Sequence, residues 1–146
     1  MSGEPAGGRV ETLPNRFSGR PYRVELSHLE FTSICPLTGA PDFGTITIRY
    51  VPGEKLLELR SLRNFLTGFR DRKILQEEVV NEILDEVVAS AGPLFAEVEG
   101  VFDMRGGMTT RAVARAGDDP QGIEGGAGSA VTPERHEKAR RHPSVD

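Results

Sequence analysis

The chain of 146 residues contains a single cysteine, three histidines, no tryptophan and no long apolar run. One cysteine, Cys35, excludes an intrachain disulfide and fits a reducing compartment. No segment approaches the roughly 20 consecutive apolar residues that a membrane-spanning helix needs. The first twenty residues hold no apolar stretch of the signal-peptide kind, so the expectation is a soluble, cytoplasmic protein. Basic excess is missing too: the net charge is −4 and the pI is near 5.5, which argues against a general nucleic-acid binder. His136 and His142 lie near the C-terminus, which leaves His28 and Cys35 as the only soft ligands of the central region. That is too few for a structural or catalytic zinc site, so no metal is expected.

What is present divides into three parts. Residues 1–20 are polar and rich in Gly and Pro, and are expected to form a flexible arm. Residues 117–146 carry Gly, Pro and charge with hardly a large apolar side chain. Such a segment buries too little surface to offset its ordering entropy and is expected to be disordered. The folded domain is then residues 21–116, with no internal repeat.

Within that domain the period of the apolar residues changes twice. Residues 26–34 suit a strand, and residues 45–50 suit another in which Ile46, Ile48 and Tyr50 alternate with Thr45, Thr47 and Arg49. The alternation predicts one buried and one exposed face. Leu59, Leu62, Leu66 and Phe69 then fall on one helical stripe. A second helix is expected from about Ile74, with apolar pairs repeating every four residues until Ala91-Gly92-Pro93. Strands at 95–104 and 108–115 follow, joined through Arg105-Gly106-Gly107. The order ββααββ predicts an α+β domain, an antiparallel sheet with two helices on one face. Such a sheet has two open edges, and pairing them with further copies of the chain favours a homo-oligomer.

The stretch FTSICPLTGAPDFGTITIRYVP, residues 31–52, is where chemistry concentrates. Cys35 and Asp42 flank a turn built from Pro36, Thr38, Gly39 and Pro41. A cysteine held in a rigid turn beside an acid suits a thiolate nucleophile with its proton donor. Arg60 with Arg63, and Arg70 with Arg72 and Lys73, form basic clusters able to hold a phosphorylated small molecule. Taken singly, each of these residues also has a plainer role. Cys35 suits a small buried hydrophobe, Asp42 a turn, Glu58 and Glu77 the starts of helices, and the arginines a solvated face.

Three segments together resemble the NADPH-dependent 7-cyano-7-deazaguanine reductases of queuosine biosynthesis. They are residues 31–52, the helix segment ELRSLRNF at 58–65, and Gln76-Glu77 followed later by the Arg-Gly-Gly turn. The similarity spans residues 31–115 in order. It implies the tunnelling fold, in which ββααββ units close into an oligomeric barrel with active sites between subunits. It implies reduction of a nitrile to a primary amine with NADPH as the cofactor, yielding a precursor for tRNA modification. Cys35 would add to the nitrile carbon as a thioimide-forming nucleophile and Asp42 would be the proton donor. Leu57, Glu58, Leu59, Gln76 and Glu77 would contact the deazapurine, and Arg60, Ser61 and Arg63 the cofactor. A carboxylate at Glu77 suits the ring N–H and exocyclic amine of a guanine-type edge.

The chain departs from the family pattern in places. Arg60 and Arg63 stand where lysines are usual, which keeps charge but replaces a point charge by a planar fork. Asn64 replaces a larger, less polar residue. Gln76 stands where many members have histidine; it holds substrate by hydrogen bonds but does not titrate. Two alternatives remain open at this level. One is a thioimide-forming amidinotransferase relative acting on tRNA, disfavoured by the retained helix signature and the acidic charge. The other is a noncatalytic purine-binding protein of the same fold. For the reductase reading, no direct nucleic-acid or membrane partner is expected.

Overall fold

A computed structural model of the chain describes residues 10–120. Most of the expected tail, and the first nine residues of the expected arm, lie outside the described residues. The elements are β1 (Thr12–Pro14), β2 (Val24–Ile34), β3 (Pro41–Val51), β4 (Lys55–Leu57), α1 (Leu59–Thr67), α2 (Gln76–Ala91), β5 (Phe95–Arg105) and β6 (Met108–Gly117). Four long strands make one antiparallel sheet in the order β2-β3-β5-β6. Helix α1 packs beside β2, and α2 lies across β5 and β6. The α+β architecture expected from the periodicity is therefore present.

The apolar periods explain the packing. Ile46, Ile48 and Tyr50 of β3 turn to the helices and are each 1% exposed. They meet Leu62, Phe65 and Leu66 of α1 and Val79, Val80, Ile83 and Val87 of α2 in one core. A bulge between His28 and Phe31 inserts a residue into β2, so Phe31 and Ser33 rejoin the face that Leu26 and His28 began. Phe31 packs against the rings of Phe69 and Phe102. The β5–β6 hairpin turns through Gly106 (φ 61°) and Gly107 (φ 86°), the left-handed pair that a two-residue type I′ turn requires.

Four expectations need correction. The arm is not loose from Val10 on: Thr12–Pro14 pairs with Lys55–Leu57, and Val10 is 4% exposed in the core. Polar latches hold it, with the Val10 N–H donating to Glu86 Oε2 (2.8 Å) and the Glu11 N–H to Ser61 Oγ (2.8 Å). Leu59, expected on the buried stripe of α1, is the first residue of that helix and is 58% exposed. Helix α2 begins at Gln76 because Ile74 is taken up by backbone bonding to Ile34.

The fourth correction concerns the sheet face turned away from the helices. Thr45 and Arg49, expected to be exposed, are buried there. Arg49 Nη1 donates to Glu97 Oε2 (2.7 Å) and Glu99 Oε1 (2.8 Å), and its Nε to Glu25 Oε1 (3.1 Å). Arg111 donates to Glu99 (2.6 Å) and Arg115 to Glu97 (2.8 Å). Three arginines thus meet three glutamates in a network without net charge. Burial alone would raise the Glu99 pKa, but the hydrogen bonds from Arg49 and Arg111 win and hold it below the usual carboxylate range.

Candidate active site

Strand β2 ends at Ile34, and the chain returns as β3 from Pro41. Two backbone hydrogen bonds close the loop between them. The Cys35 N–H donates to Ala40 O (2.8 Å), and the Gly39 N–H donates to Cys35 O (2.8 Å). Gly39 adopts φ 76°, a left-handed turn that a side chain would strain. The loop leaves Cys35 as a free, partly exposed thiol.

Its pKa falls below the ordinary thiol range. The polar groups of the turn, the Thr38 hydroxyl first and then the backbone N–H groups of Thr38 and Leu37, favour the thiolate and outweigh burial and the opposing charge of Asp42. Hydrogen bonds to the charged form are the lever here.

Asp42 sits opposite Ser33 in the β2–β3 register and is only 4% exposed. Arg105, at the end of the adjacent strand β5, reaches it with Nη1 2.8 Å from Oδ1. The other guanidinium nitrogen, Nη2, donates to Thr38 Oγ1 at 3.2 Å. Ser33 Oγ is fully buried and has no hydrogen-bond partner among the described residues.

The start of α2 is brought to this loop by backbone bonding. The Ile34 N–H donates to Arg72 O (2.9 Å), and the Ile74 N–H donates to Ile34 O (3.0 Å), forming a parallel bridge between Ile34 and Lys73. Gln76 and Glu77 follow within three residues of Ile74. The Glu78 carboxylate caps the helix by accepting from the Leu75 N–H (3.0 Å). Glu77 is exposed, and its carboxylate has no hydrogen bond or ion pair among the described residues.

The second set of expected site residues lies elsewhere. The Leu57 N–H donates to the Tyr50 hydroxyl (3.0 Å), and Tyr50 pairs with Val24 at the opposite end of β2 from Cys35. Val24 to Ile34 is about 33 Å at roughly 3.3 Å per strand residue. Glu58 caps α1, accepting from the Arg60 N–H (3.0 Å) and the Ser61 N–H (2.8 Å). Those bonds, the Ser61 N–H foremost, hold its pKa below the ordinary carboxylate range. The Ser61 hydroxyl donates to Glu58 O (3.0 Å) and accepts from the Glu11 N–H, so it works as a latch for the arm. Arg63 lines a groove of about 210 Å³ beneath α1 with His28, Leu26, Ile46, Leu59 and Leu62. Burial and the Arg63 charge lower the His28 pKa against the pull of Glu30.

Cys35, Asp42, Gln76 and Glu77 are therefore gathered at one end of β2, while Leu57, Glu58, Leu59, Arg60 and Ser61 lie towards the other and Arg63 stands between, beside His28. Residues 41–121 match the family model described as QueF-like protein. The chain belongs to the QueF-like family.

A protein of Anaeromyxobacter dehalogenans named NADPH-dependent 7-cyano-7-deazaguanine reductase is 46% identical over 114 residues, covering 78% of this chain and 93% of that one. One of the same name from Caldicellulosiruptor bescii is 47% identical over 106 residues, covering 73% and 81%. Among solved structures, the archaeosine synthase QueF-Like in the apo form superposes with a TM-score of 0.64 at 26% identity, covering 69% of this chain and 99% of that one.

Two side chains that meet at the Cys35 turn of this QueF-like chain escape sequence reasoning, Thr38 and Arg105. Thr38 lies in the noted turn, but nothing in its position signals that Arg105 donates to its hydroxyl. Arg105 lies 63 residues from Asp42, in a hairpin whose pairing across β5 only the folded sheet reveals. No helix among the described residues is long and apolar enough to cross a membrane.

Proposed function

We propose that this QueF-like chain reduces the nitrile of 7-cyano-7-deazaguanine to a primary amine, with NADPH as the reductant. The observation that carries the chemistry is the Cys35 turn. Its donors favour the thiolate, and it lies beside the buried Asp42. Identity of 46% with a named reductase, across 93% of that protein's length, supports the same substrate. The lower identity of 26% to the archaeosine synthase makes amidine formation on tRNA the weaker reading.

In this reading the Cys35 thiol passes its proton to Asp42 and Sγ adds to the nitrile carbon as the nitrogen takes that proton from Asp42, giving a thioimide. NADPH, when bound, supplies hydride, and two hydrides with two protons convert a nitrile to an aminomethyl group. Cys35 is expelled as thiolate between the two reductions, and Asp42 is reprotonated from solvent. Glu77 accepts hydrogen bonds from the N–H groups of the base, and Gln76 holds a further edge. Arg60 and Arg63 suit the cofactor phosphates. Both guanidiniums are exposed on α1 and form no salt bridge among the described residues.

The separation of the two residue sets supports an oligomer. One chain offers the Cys35 end and, further along β2, the arginine set, with Arg63 beside His28 about 20 Å of strand from Ile34. A neighbouring copy joined along the free edges β2 and β6 would bring the second set to the first, closing tunnelling-fold units into a barrel. We assign the reaction to the cytoplasm, where NADPH is available and Cys35 stays reduced.

The test is NADPH oxidation by the purified protein with and without 7-cyano-7-deazaguanine, alongside intact mass with the base alone. Nitrile-dependent oxidation, and a mass adduct abolished in Cys35→Ala, are expected. An adduct without oxidation would turn the assignment to amidine chemistry. Absence of both signals would leave a purine-binding protein.

A further inference from the structure

The β1–β4 ribbon runs on into the start of α1. One step past the Thr12–Leu57 pair, the Glu58 N–H donates to Glu11 O (2.9 Å), and the Glu11 N–H donates to Ser61 Oγ (2.8 Å). Ser61 gives its hydroxyl proton to Glu58 O (3.0 Å), so three hydrogen bonds tie Glu11, Glu58 and Ser61 together. Glu58 is still extended, with φ −89° and ψ 125°, and is at once the end of the ribbon and the N-cap of the helix. A serine hydroxyl has one proton and two acceptor directions. Here the proton is taken by Glu58 and one acceptor direction by Glu11, so none is left to donate to a phosphate.

Both ends of the arm are anchored away from these bonds. Val10 is buried in the core, and its N–H donates to Glu86 Oε2 on α2 (2.8 Å). Beyond β1, Asn15 Nδ2 donates to Gly53 O (2.7 Å) and the Asn15 N–H to Glu54 O (2.9 Å). Helix α1 itself has nine residues. Helices shorter than about 12–15 residues are marginal alone, so its first turn depends on what is packed and bonded against it. Arg60 lies in that turn and Arg63 just after it, and both are exposed.

We propose that residues 10–15 form a positioning segment for the cofactor end of the site. Glu11, through Ser61 and Glu58, fixes the first turn of α1 and so the directions in which Arg60 and Arg63 meet the phosphates of NADPH. Ser61 is then a positioning residue, in place of the cofactor contact that the family resemblance implies. The inference rests on the reductase reading. Its physical basis is preorganisation: guanidiniums carried on an ordered turn lose less freedom when the dinucleotide binds. The Cys35 loop takes no part in these bonds and should be indifferent to them.

The test is a double-mutant cycle in the full chain between Ser61→Ala and Val10→Asp. The second variant puts a carboxylate into the core beside Glu86 and releases the arm. Should Val10→Asp not fold, Glu86→Ala, which removes the acceptor of the Val10 N–H, takes its place. NADPH affinity is read by fluorescence titration, KM and kcat by nitrile-dependent oxidation, and the Cys35 end by its rate of alkylation with iodoacetamide. Each single variant is expected to raise the Kd and KM for NADPH roughly 3- to 10-fold, the range for one lost hydrogen bond, with kcat and alkylation as in the wild type. Ser61→Thr, which keeps the hydroxyl, should restore the affinity. The double variant should be little worse than either single one, because both break the same link. Additive losses would overturn the proposal and return Ser61 to direct contact with the cofactor. A fall in kcat at unchanged KM, or no effect on NADPH in one or both of the single variants, would overturn it too. Wild-type protein that binds no NADPH would instead bring down the reductase reading, and this inference with it.

Discussion

The Ile74 backbone N–H donates to the Ile34 carbonyl at 3.0 Å, one residue before Cys35 and two before Gln76. The start of α2 is thereby placed against Cys35, the proposed nucleophile, by main-chain bonding. Substituting Glu77, an exposed side chain without partners among the described residues, should leave this geometry intact. Glu77→Gln is expected to weaken binding of the base by roughly 10- to 100-fold, the range for a lost hydrogen bond to a charged group. Calorimetric titration in the Cys35→Ala background, where no adduct forms, would measure it. Undiminished affinity would remove Glu77 from the substrate site.

The separation of the two residue sets along β2 makes a stronger prediction. Cys35→Ala and the double variant Arg60→Ala/Arg63→Ala should each be inactive as homo-oligomers. If every site takes one set from each of two chains, random mixed oligomers at equal ratio regain intact sites about one time in four. Co-expression of the two inactive chains should then recover up to about a quarter of wild-type turnover. Complete lack of recovery in verified mixed oligomers would mean that each chain builds its own site.

How far the sequence carried depends on the range of the signal. The long strands and both helices were legible because alternation and four-residue repeats are local properties, as with Ile46, Ile48 and Tyr50 or Val79, Ile83 and Val87. The β1–β4 ribbon was not. Its three-residue strands pair Thr12 with Leu57 across the chain, and Val10 is a lone apolar residue in a polar stretch. The buried status of Arg49 was also hidden, because Glu97 and Glu99 neutralise it from a strand some fifty residues away. Cys35, Asp42 and Glu77 were singled out from short motifs, and the fold brings their backbone segments to one end of β2. Their separation from Arg60 and Arg63 was not, since only the direction of α1 along β2 determines it.

Ser33 offers a test of the buried end of the β2–β3 hairpin. Its hydroxyl is fully enclosed without a partner, directly across from Asp42. An unsatisfied buried hydroxyl carries a desolvation penalty of about 1–3 kcal/mol. Ser33→Ala should therefore be neutral or raise the melting temperature, with catalysis retained. A clear loss of turnover at unchanged stability would show instead that the hydroxyl serves Asp42 during the reaction.

The ion network on the open face of the sheet predicts a pH signature. Glu99 is held below the usual carboxylate range in the folded state by Arg49 and Arg111. A depressed folded value means that its stabilising contribution is complete above the unfolded value of about 4.3. The contribution is lost as pH falls through the lower folded value. Thermal melts at fixed protein concentration should be flat in this respect from neutral pH to about 5 and then fall steeply below about 4. Glu99→Leu should lower stability at neutral pH by about 3–5 kcal/mol, because it leaves Arg49 buried with fewer partners. Its acid limb should also be shallower than that of the wild type. Parallel acid limbs in the two proteins would mean that the network is not where the folded chain stores its acid sensitivity.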